Sequence, residues 1–291
     1  MTSPRVVATN AAAVIEAPGL DANPYLIDAD GHPFVPIGDG GIVLGLALGD
    51  NAFGFDTDHA SPGVSVIHPD PSARAALTAF SCLGNQVVLR SGDAAGRRGV
   101  VLGKRGEQGR VLVWFPDDVL RGLVPGDSMA IRAEGQGWQL DEPLAGLGVQ
   151  ALNIDPRAMA VLPIDLAADN VRVSVRGTVP SKLIGNGIGR PAHQWDLDLQ
   201  LTASTAAAVG LARLAVGDLV AVADLDVRHN AGFRRGWVTV GVAVTTGSPR
   251  PGHGVGLMPI LCGPATAFEL DVRADDHTGV TSSMLGELSG S

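Results

Sequence analysis

Residues 87–115 read VVLRSGDAAGRRGVVLGKRGEQGRVLVWF, and the reading of this stretch decides the fold. It holds three short apolar runs: Val87-Val-Leu-Arg90, Gly99-Val-Val-Leu-Gly103 and Arg110-Val-Leu-Val-Trp-Phe115. Between the first two stands the turn Ser91-Gly92-Asp93-Ala-Ala-Gly96. Runs this short, rich in valine and bounded by glycine, read as strands. The glycines supply the positive φ angles of a tight reversal. The stretch predicts a strand, a glycine turn, a returning strand and a third.

The same grammar recurs on both sides. Locally the stretch resembles the KOW-type turn of small SH3-like barrels, a likeness that turn chemistry alone accounts for. Pro125-Gly126-Asp127 opens Ser-Met-Ala-Ile-Arg132, and Val216-Gly217-Asp218 opens Leu-Val-Ala-Val222. Asp127 and Asp218 read as turn caps, since the carboxylate accepts backbone N–H bonds there. Turn signals at 28–31, 38–41 and 49–51 separate apolar runs at 33–37 and 42–48, which predicts hairpins. Further strands are predicted at 63–68, 171–176 and, longest, 237–245. Helices are predicted at 72–83, capped by Ser72, and at 203–214. The expected fold is mainly β with a few helices, built as barrel-like β subdomains joined by Gly-rich turns. The expected organisation is an N-terminal segment over 1–23 and a β-rich unit over 24–270, subdividing near 140–170. A polar tail over 271–291 is expected to fray.

Charge narrows the function. Lys+Arg is 21 against Asp+Glu 30, a net charge of −9. So acidic a chain repels phosphate backbones, so no nucleic-acid partner is expected. Cys82 and Cys262 lie far apart, which excludes a disulfide framework and a Cys-rich zinc site and leaves two buried thiols. No signal-peptide pattern is seen at the N-terminus. The apolar run 42–48 is far shorter than the ~20 residues of a membrane helix. A soluble, cytoplasmic protein with no membrane partner is the expectation. Nothing in the sequence fixes an oligomeric state.

Five blocks, taken in order, carry a family likeness. The first is Gly38-Asp-Gly-Gly-Ile42, Gly49-Asp-Asn-Ala-Phe-Gly54 and Asp58-His59-Ala-Ser-Pro-Gly63. The second is Cys82-Leu-Gly-Asn85 with Gly103-Lys104, and the third is Gly135-Gln-Gly137 with Asn153-Ile-Asp-Pro156. The fourth is Val179-Pro-Ser-Lys-Leu-Ile-Gly-Asn-Gly-Ile-Gly189 followed by Asp196-Leu-Asp198. The last is Gly217-Asp218, Asp224-Leu-Asp226, Gly241-Val-Ala-Val244 and Pro251-Gly-His-Gly-Val-Gly256. Over roughly residues 24–263 these resemble the DUF4438 family of bacteria and archaea, as a divergent member. The resemblance implies a β-rich fold with barrel-like parts and hands over no reaction. The chain departs from the family's pattern at Asp39, Val43, Leu44 and Gly45, at Arg105, and at Thr245, Thr246 and Gly247. These departures suggest an offshoot with altered chemistry, in secondary metabolism.

Seven histidines are the acid–base candidates. His253 stands among the glycines of Pro251-Gly-His-Gly-Val-Gly256, where little bulk keeps a ligand from imidazole and backbone N–H groups. His59 is presented by a glycine-bounded loop. Asp224-Leu-Asp226 follows a strand and leads into Arg228 and His229, and Arg suits a carboxylate or phosphate. In His193-Gln-Trp195-Asp196-Leu-Asp198, alternation puts Asp196 and Asp198 on one strand face and Trp195 on the other. Paired carboxylates can bind a metal or share a proton. The expected catalytic residues are His253, Asp224, Asp226 and His59. The expected substrate-binding residues are Arg228, His229, Asp196, Asp198 and Trp195. Gly185-Asn-Gly-Ile-Gly189 lacks a βαβ setting, and no Walker A loop, GxSxG elbow or HExxH occurs. No nucleotide cofactor is expected; a divalent metal is left open, its ligands unassigned. The function expected is a small-molecule enzyme of cyclase or hydrolase type using acid–base chemistry. Its reaction class is opening, closing or hydrolysis of a polar amide-like or heterocyclic substrate. The alternative is a non-catalytic protein that binds a small molecule or a partner.

Overall fold

The computed structural model describes residues 6–19, 24–167 and 169–290. Residues 87–115 form what their sequence predicts, strands Gln86–Leu89, Arg98–Arg105 and Arg110–Trp114 in consecutive antiparallel pairs. Strands Ser128–Ala133, Thr9–Ile15 and Gly63–Ile67 complete a ring. Val14 pairs with Ile67 and Ile15 with Val66, so the six strands close into a barrel. Closure leaves the ring without edges, and the short strand Ile42–Val43 is added outside it on Gly63–Ile67. The barrel interior is the aliphatic core that a chain poor in aromatics requires: Val66, Val87, Val101, Val111, Val113 and Ile131 are all fully buried.

The second half is an open sheet. Its order is Gln150–Ala151, Val255–Pro264, Gly232–Ala243, Leu219–Asp226, Gly177–Pro180, with Leu197–Leu199 also paired to Val255–Pro264. Beside it lies a small sheet of Ile164–Leu166, Val171–Val175 and Phe268–Val272. The outer face of the barrel packs on the second sheet: Val100, Leu102 and Leu112 share one core with Val240, Val242, Val244, Met258 and Ile260. Gly103 marks a close approach, since a Cβ there would come within 2.8 Å of the Val244 side chain.

The register of Arg98–Arg105 against Arg110–Trp114 shifts between Val101 and Gly103. A bulge re-aims the side chains that follow it. Lys104 and Arg105 come directly after this bulge and are buried at the junction of the two halves, Lys104 completely.

Several elements differ from the sequence expectation. The first helix is Pro71–Phe80, and its cap is Asp70, whose Oδ1 accepts the Ser72 N–H at 2.9 Å. Proline at the first helical position fixes that start, so Ser72 falls inside the helix. The helix expected over 203–214 is only Ala203–Ala208, because Gly210 takes φ +75° and turns the chain. The 24–58 region carries two-residue strands, Leu26–Ile27, Pro33–Phe34 and Ile42–Val43, between its glycine turns. Residues 6–19 do not stand apart: Thr9–Ile15 lacks an apolar pattern of its own, and its partner strands supply its register. The tail expected to fray contains helix Ser282–Ser289, whose Met284, Leu285 and Leu288 lie on the shared core. Among the described residues no helix is long and apolar enough to cross a membrane.

Candidate functional site

At the junction of the halves, Asp58 and His59 come from the barrel half, and Asp196, Asp198 and His253 from the other. Thr246 draws them together. Its N–H donates to the Ala60 carbonyl (2.7 Å), and its Oγ1 accepts the Ala60 N–H (3.1 Å) and lies 2.8 Å from Thr57 Oγ1. This tie seats the 57–60 loop on the turn after Gly232–Ala243, with His59 in the left-handed region at φ +57°. On the other side, strand Leu197–Leu199 pairs with the start of Val255–Pro264, setting Asp198 opposite Gly256 and beside the His253 loop. Gly256 leaves room there, since a Cβ would lie 2.7 Å from Asp196 Oδ2.

The resulting geometry is convergent. His59 Nε2 lies 3.0 Å from His253 Nδ1, a hydrogen-bond distance. Asp198 Oδ2 lies 3.5 Å from the first nitrogen and 3.4 Å from the second. Asp58 Oδ1 is 3.6 Å from His59 Nε2. Ligand atoms of Asp58, His59 and His253 all fall within 4.8 Å of one another, close enough to hold one metal ion. Two other carboxylate oxygens are fixed: Arg250 donates to Asp58 Oδ2 (3.0 Å), and the Gly106 N–H donates to Asp196 Oδ1 (3.0 Å). Asp58 Oδ1, Asp196 Oδ2 and Asp198 Oδ2 are buried without a hydrogen-bond partner. A buried polar atom left unbonded is costly, which singles the cluster out.

Charge surrounds this centre. Arg105 pairs with Asp39 and lies 3.3 Å from Glu107 and 3.7 Å from Asp58. Arg110 bridges Asp39 and Glu16, each at 2.5 Å. Glu107 accepts from Asn186 (2.8 Å) and faces His253 Nε2 at 3.8 Å. Lys104 donates to Asn153 Oδ1 and to the His193 carbonyl, both at 2.9 Å, and so ties the barrel to the loop carrying Asp196. Burial raises the Asp196 carboxyl above the usual carboxylate range. Burial and the neighbouring Asp196 do the same to Asp198. Burial, with Arg105 nearby, holds His59 well below the usual imidazole range, and burial also lowers His253. Both imidazoles are therefore neutral near pH 7, the state in which a ring nitrogen can ligate a metal or accept a proton.

Of the residues singled out from sequence, His253, His59, Asp198 and Asp196 meet here. Trp195 packs against Gly106 at the edge of the site, with Arg190 stacked 4.7 Å over its ring. Asp224, Asp226, Arg228 and His229 lie elsewhere. Asp226 Oδ1 is 3.6 Å from Cys262 Sγ, at the far end of the strand Val255–Pro264, so His253 is on the order of 20–25 Å away along that strand. Asp224 sits at a register shift with φ +60°, its Oδ1 accepting the Gly236 N–H. Asp226 is clamped by Arg228 and Arg234, whose guanidinium groups lie 3.7 and 4.1 Å from the Trp237 ring, and His229 is exposed. Burial pushes both thiols, Cys82 and Cys262, up to about 11, so neither is activated as a thiolate.

Sequence reasoning passed over Asp39, Arg105, Glu107, Asn186 and Arg250 as parts of the site. One signal was present: Lys104-Arg105-Gly-Glu107 puts three charges at the end of an apolar strand. A second ligand-like group, Asp28, Asp30 and His32, lies in a turn where Asp28 Oδ1 already accepts the Asp30 and His32 N–H groups.

The chain is similar to TM1086, whose crystal structure superposes with a TM-score of 0.87 at 34% identity, covering 94% of this chain and 95% of TM1086. No curated protein matches it. The N-terminal domain of unknown function DUF4438 matches residues 25–160, and the C-terminal DUF4438 domain matches residues 161–282. Together these two domains span nearly all of the sequence, the cluster above falls on the junction between them, and the chain belongs to the DUF4438 family.

Proposed function

We propose that the chain is a small-molecule enzyme working by acid–base chemistry at the junction of its two halves. Its class of reaction is ring opening, ring closure or hydrolysis of a polar amide-like or heterocyclic substrate. The observation that carries this reading is the convergence of His59 Nε2, His253 Nδ1 and Asp198 Oδ2 within 3.0–3.5 Å of one another. Two imidazoles and a carboxylate in contact can take a proton at one atom and give it at another. His253 is the member nearest solvent, its side chain 12% exposed, with Arg250 and Glu107 beside it. A guanidinium at this edge suits a carboxylate or carbonyl oxygen of the substrate. The reading requires no nucleotide cofactor, and the cofactor class the donor set admits is a divalent metal. With a net charge of −9 the partner is a small molecule and not a nucleic acid, and the place of work is the cytoplasm.

A second reading, binding without turnover, draws on the depth of the cluster. His59 and Asp58 are buried; cavities of about 630 and 420 Å³ are lined by other residues, and one of about 380 Å³ reaches only Asp39 at the edge of the network. One experiment separates the two. Purified protein is incubated with a panel of lactams, cyclic imides, hydantoins and their open-chain forms, and conversion is followed by mass spectrometry. Turnover by the native chain, reduced about 10²–10⁴-fold in His253→Ala, is the expected result. Saturable binding of a panel member with no conversion establishes the second reading instead.

A further inference from the structure

We infer that the junction cluster is a divalent metal centre, with His59 Nε2, His253 Nδ1 and Asp198 Oδ2 as ligands and Asp58 Oδ1 as a fourth donor. The inference rests on the same cluster as the proposed function and adds the cofactor to it, but metal binding stands whether or not turnover follows.

Spacing is the first support. Ligands ~2.0–2.2 Å from one ion lie ~3.3–3.6 Å apart at tetrahedral angles and ~2.8–3.1 Å apart at right angles. Four of the six separations among these atoms, 3.0, 3.4, 3.5 and 3.6 Å, fall in that range, and Asp58, His59 and His253 place ligand atoms within 4.8 Å of one another. The first three join His59, Asp198 and His253, residues 55 to 194 positions apart and from two structural halves, so no local turn geometry produces them.

The second support is the state of the donor atoms. Asp198 Oδ2 and Asp58 Oδ1 are the oxygens nearest the two imidazole nitrogens, and both are buried with no hydrogen-bond partner. Their side chains are 4% and 0% exposed, so bulk water does not bond them. A cation satisfies both atoms together with the nitrogens.

The surroundings complete the pattern. With His253 Nδ1 on the ion, its Nε2–H faces Glu107 Oε1, which Asn186 holds at 2.8 Å. A ligating histidine commonly has such a carboxylate behind it. Two nitrogens and two carboxylate oxygens select a borderline transition ion such as Zn²⁺, Mn²⁺, Fe²⁺ or Co²⁺ over Ca²⁺ or Mg²⁺, which take oxygen cages. In an enzyme of the proposed class, such an ion polarises a carbonyl and supplies hydroxide at neutral pH.

The test is direct binding to the full chain. Protein stripped with a chelator is titrated separately with Zn²⁺, Mn²⁺, Fe²⁺ and Co²⁺ by calorimetry, with metal content measured by mass spectrometry and Co²⁺ followed by visible absorption. One ion per chain is expected. Glu107→Gln should weaken binding about 10–100-fold, and His253→Ala or Asp198→Ala by more than that. Asp198→Asn and His253→Gln keep the shape of the side chains and, with circular dichroism, separate lost ligation from lost fold. Failure of the native chain to bind any of the four more tightly than millimolar overturns the inference, as does unchanged affinity in the folded variants. The two proposals fail differently: conversion of a substrate by protein that binds none of the four ions removes the metal and leaves acid–base catalysis. Tight binding without conversion removes catalysis and leaves the metal.

Discussion

Two buried aspartate clusters in this protein are built from the same residue types and end in opposite states. Asp218 lies in the Gly-Asp turn that opens the strand Leu219–Asp226, and four donors saturate it. Arg176 Nε (2.7 Å) and the Ala215 N–H (2.8 Å) reach Oδ2, while His277 Nδ1 (2.8 Å) and the Thr278 N–H (2.9 Å) reach Oδ1. Burial alone would raise its carboxyl, but the bonds from His277, Thr278, Ala215 and Arg176 outweigh it and hold Asp218 below the usual range. At the junction, Asp196 and Asp198 also sit among arginine and histidine, yet each has a bare oxygen and a raised carboxyl. The first arrangement clamps the C-terminal segment to the sheet. The second leaves donor atoms unsatisfied at one point in space. A fully bonded charge is a structural tie, and a half-bonded one at this depth marks a place made for something else.

Paired substitutions break this comparison most sharply. Asp218→Ala leaves Arg176 buried without its carboxylate and should cost about 3–5 kcal/mol of stability in urea denaturation. Asp198→Asn in chelator-stripped protein should cost little, since an amide of the same shape replaces a carboxyl that burial and Asp196 push toward its neutral form and whose Oδ2 has no hydrogen-bond partner. Equal losses from the two would erase the distinction between tie and site.

A smaller effect concerns pH. Its bond to Asp218 raises His277 above the ordinary imidazole range, and its Nε2 lies 2.9 Å from the Val280 carbonyl. A raised histidine contributes stability that is complete below its unfolded pKa of ~6.5 and is lost as pH rises through the folded value. The lowered Asp218 contributes stability that is present above its unfolded pKa of ~3.9 and is lost as pH falls through the folded value. The clamp is therefore strongest between these limits. Denaturation midpoints measured across pH should fall on the alkaline side of this window in the native chain, and His277→Gln should flatten that fall.

The smallest effect belongs to the third charged cluster. Arg234 is half exposed over Trp237 and pairs with Asp226 at 2.9 Å. Arg234→Ala should cost about 0.2–1 kcal/mol and leave metal content at the junction unchanged. A loss of bound metal in this variant would tie the two ends of the sheet together in a way their separation does not suggest.

Much of the fold was legible because it is local. Valine runs, glycine reversals and Gly-Asp turns each act over a few residues, so the strands at 86–114 and 128–133, the first half of 219–226 and the second half of 232–243 could be read in place, and with them the β-rich class, while the charged ends of the last two read as a loop. Turn chemistry also assigned Asp218 its capping role. His253 and His59 were marked by their glycine surroundings, and Asp196 and Asp198 by alternation, but each only as a single candidate.

Which candidates meet was decided by tertiary structure. His59 and His253 are 194 residues apart, and they touch because Thr246 bonds the 57–60 loop and because Leu197–Leu199 chooses the edge of Val255–Pro264. The antiparallel pairing of Leu219–Asp226 with Gly232–Ala243, and of that strand with Val255–Pro264, carries Asp224 and Asp226 to the opposite end of the sheet, although they are nearer to His253 in sequence than His59 is. The burial of Lys104 and Arg105 follows from a bulge and from the sheet packed on Gly103, neither of which has a marker in residues 98–105 themselves. Backbone conformation answers to neighbours a few bonds away, whereas a site between two halves exists only once both have folded and packed.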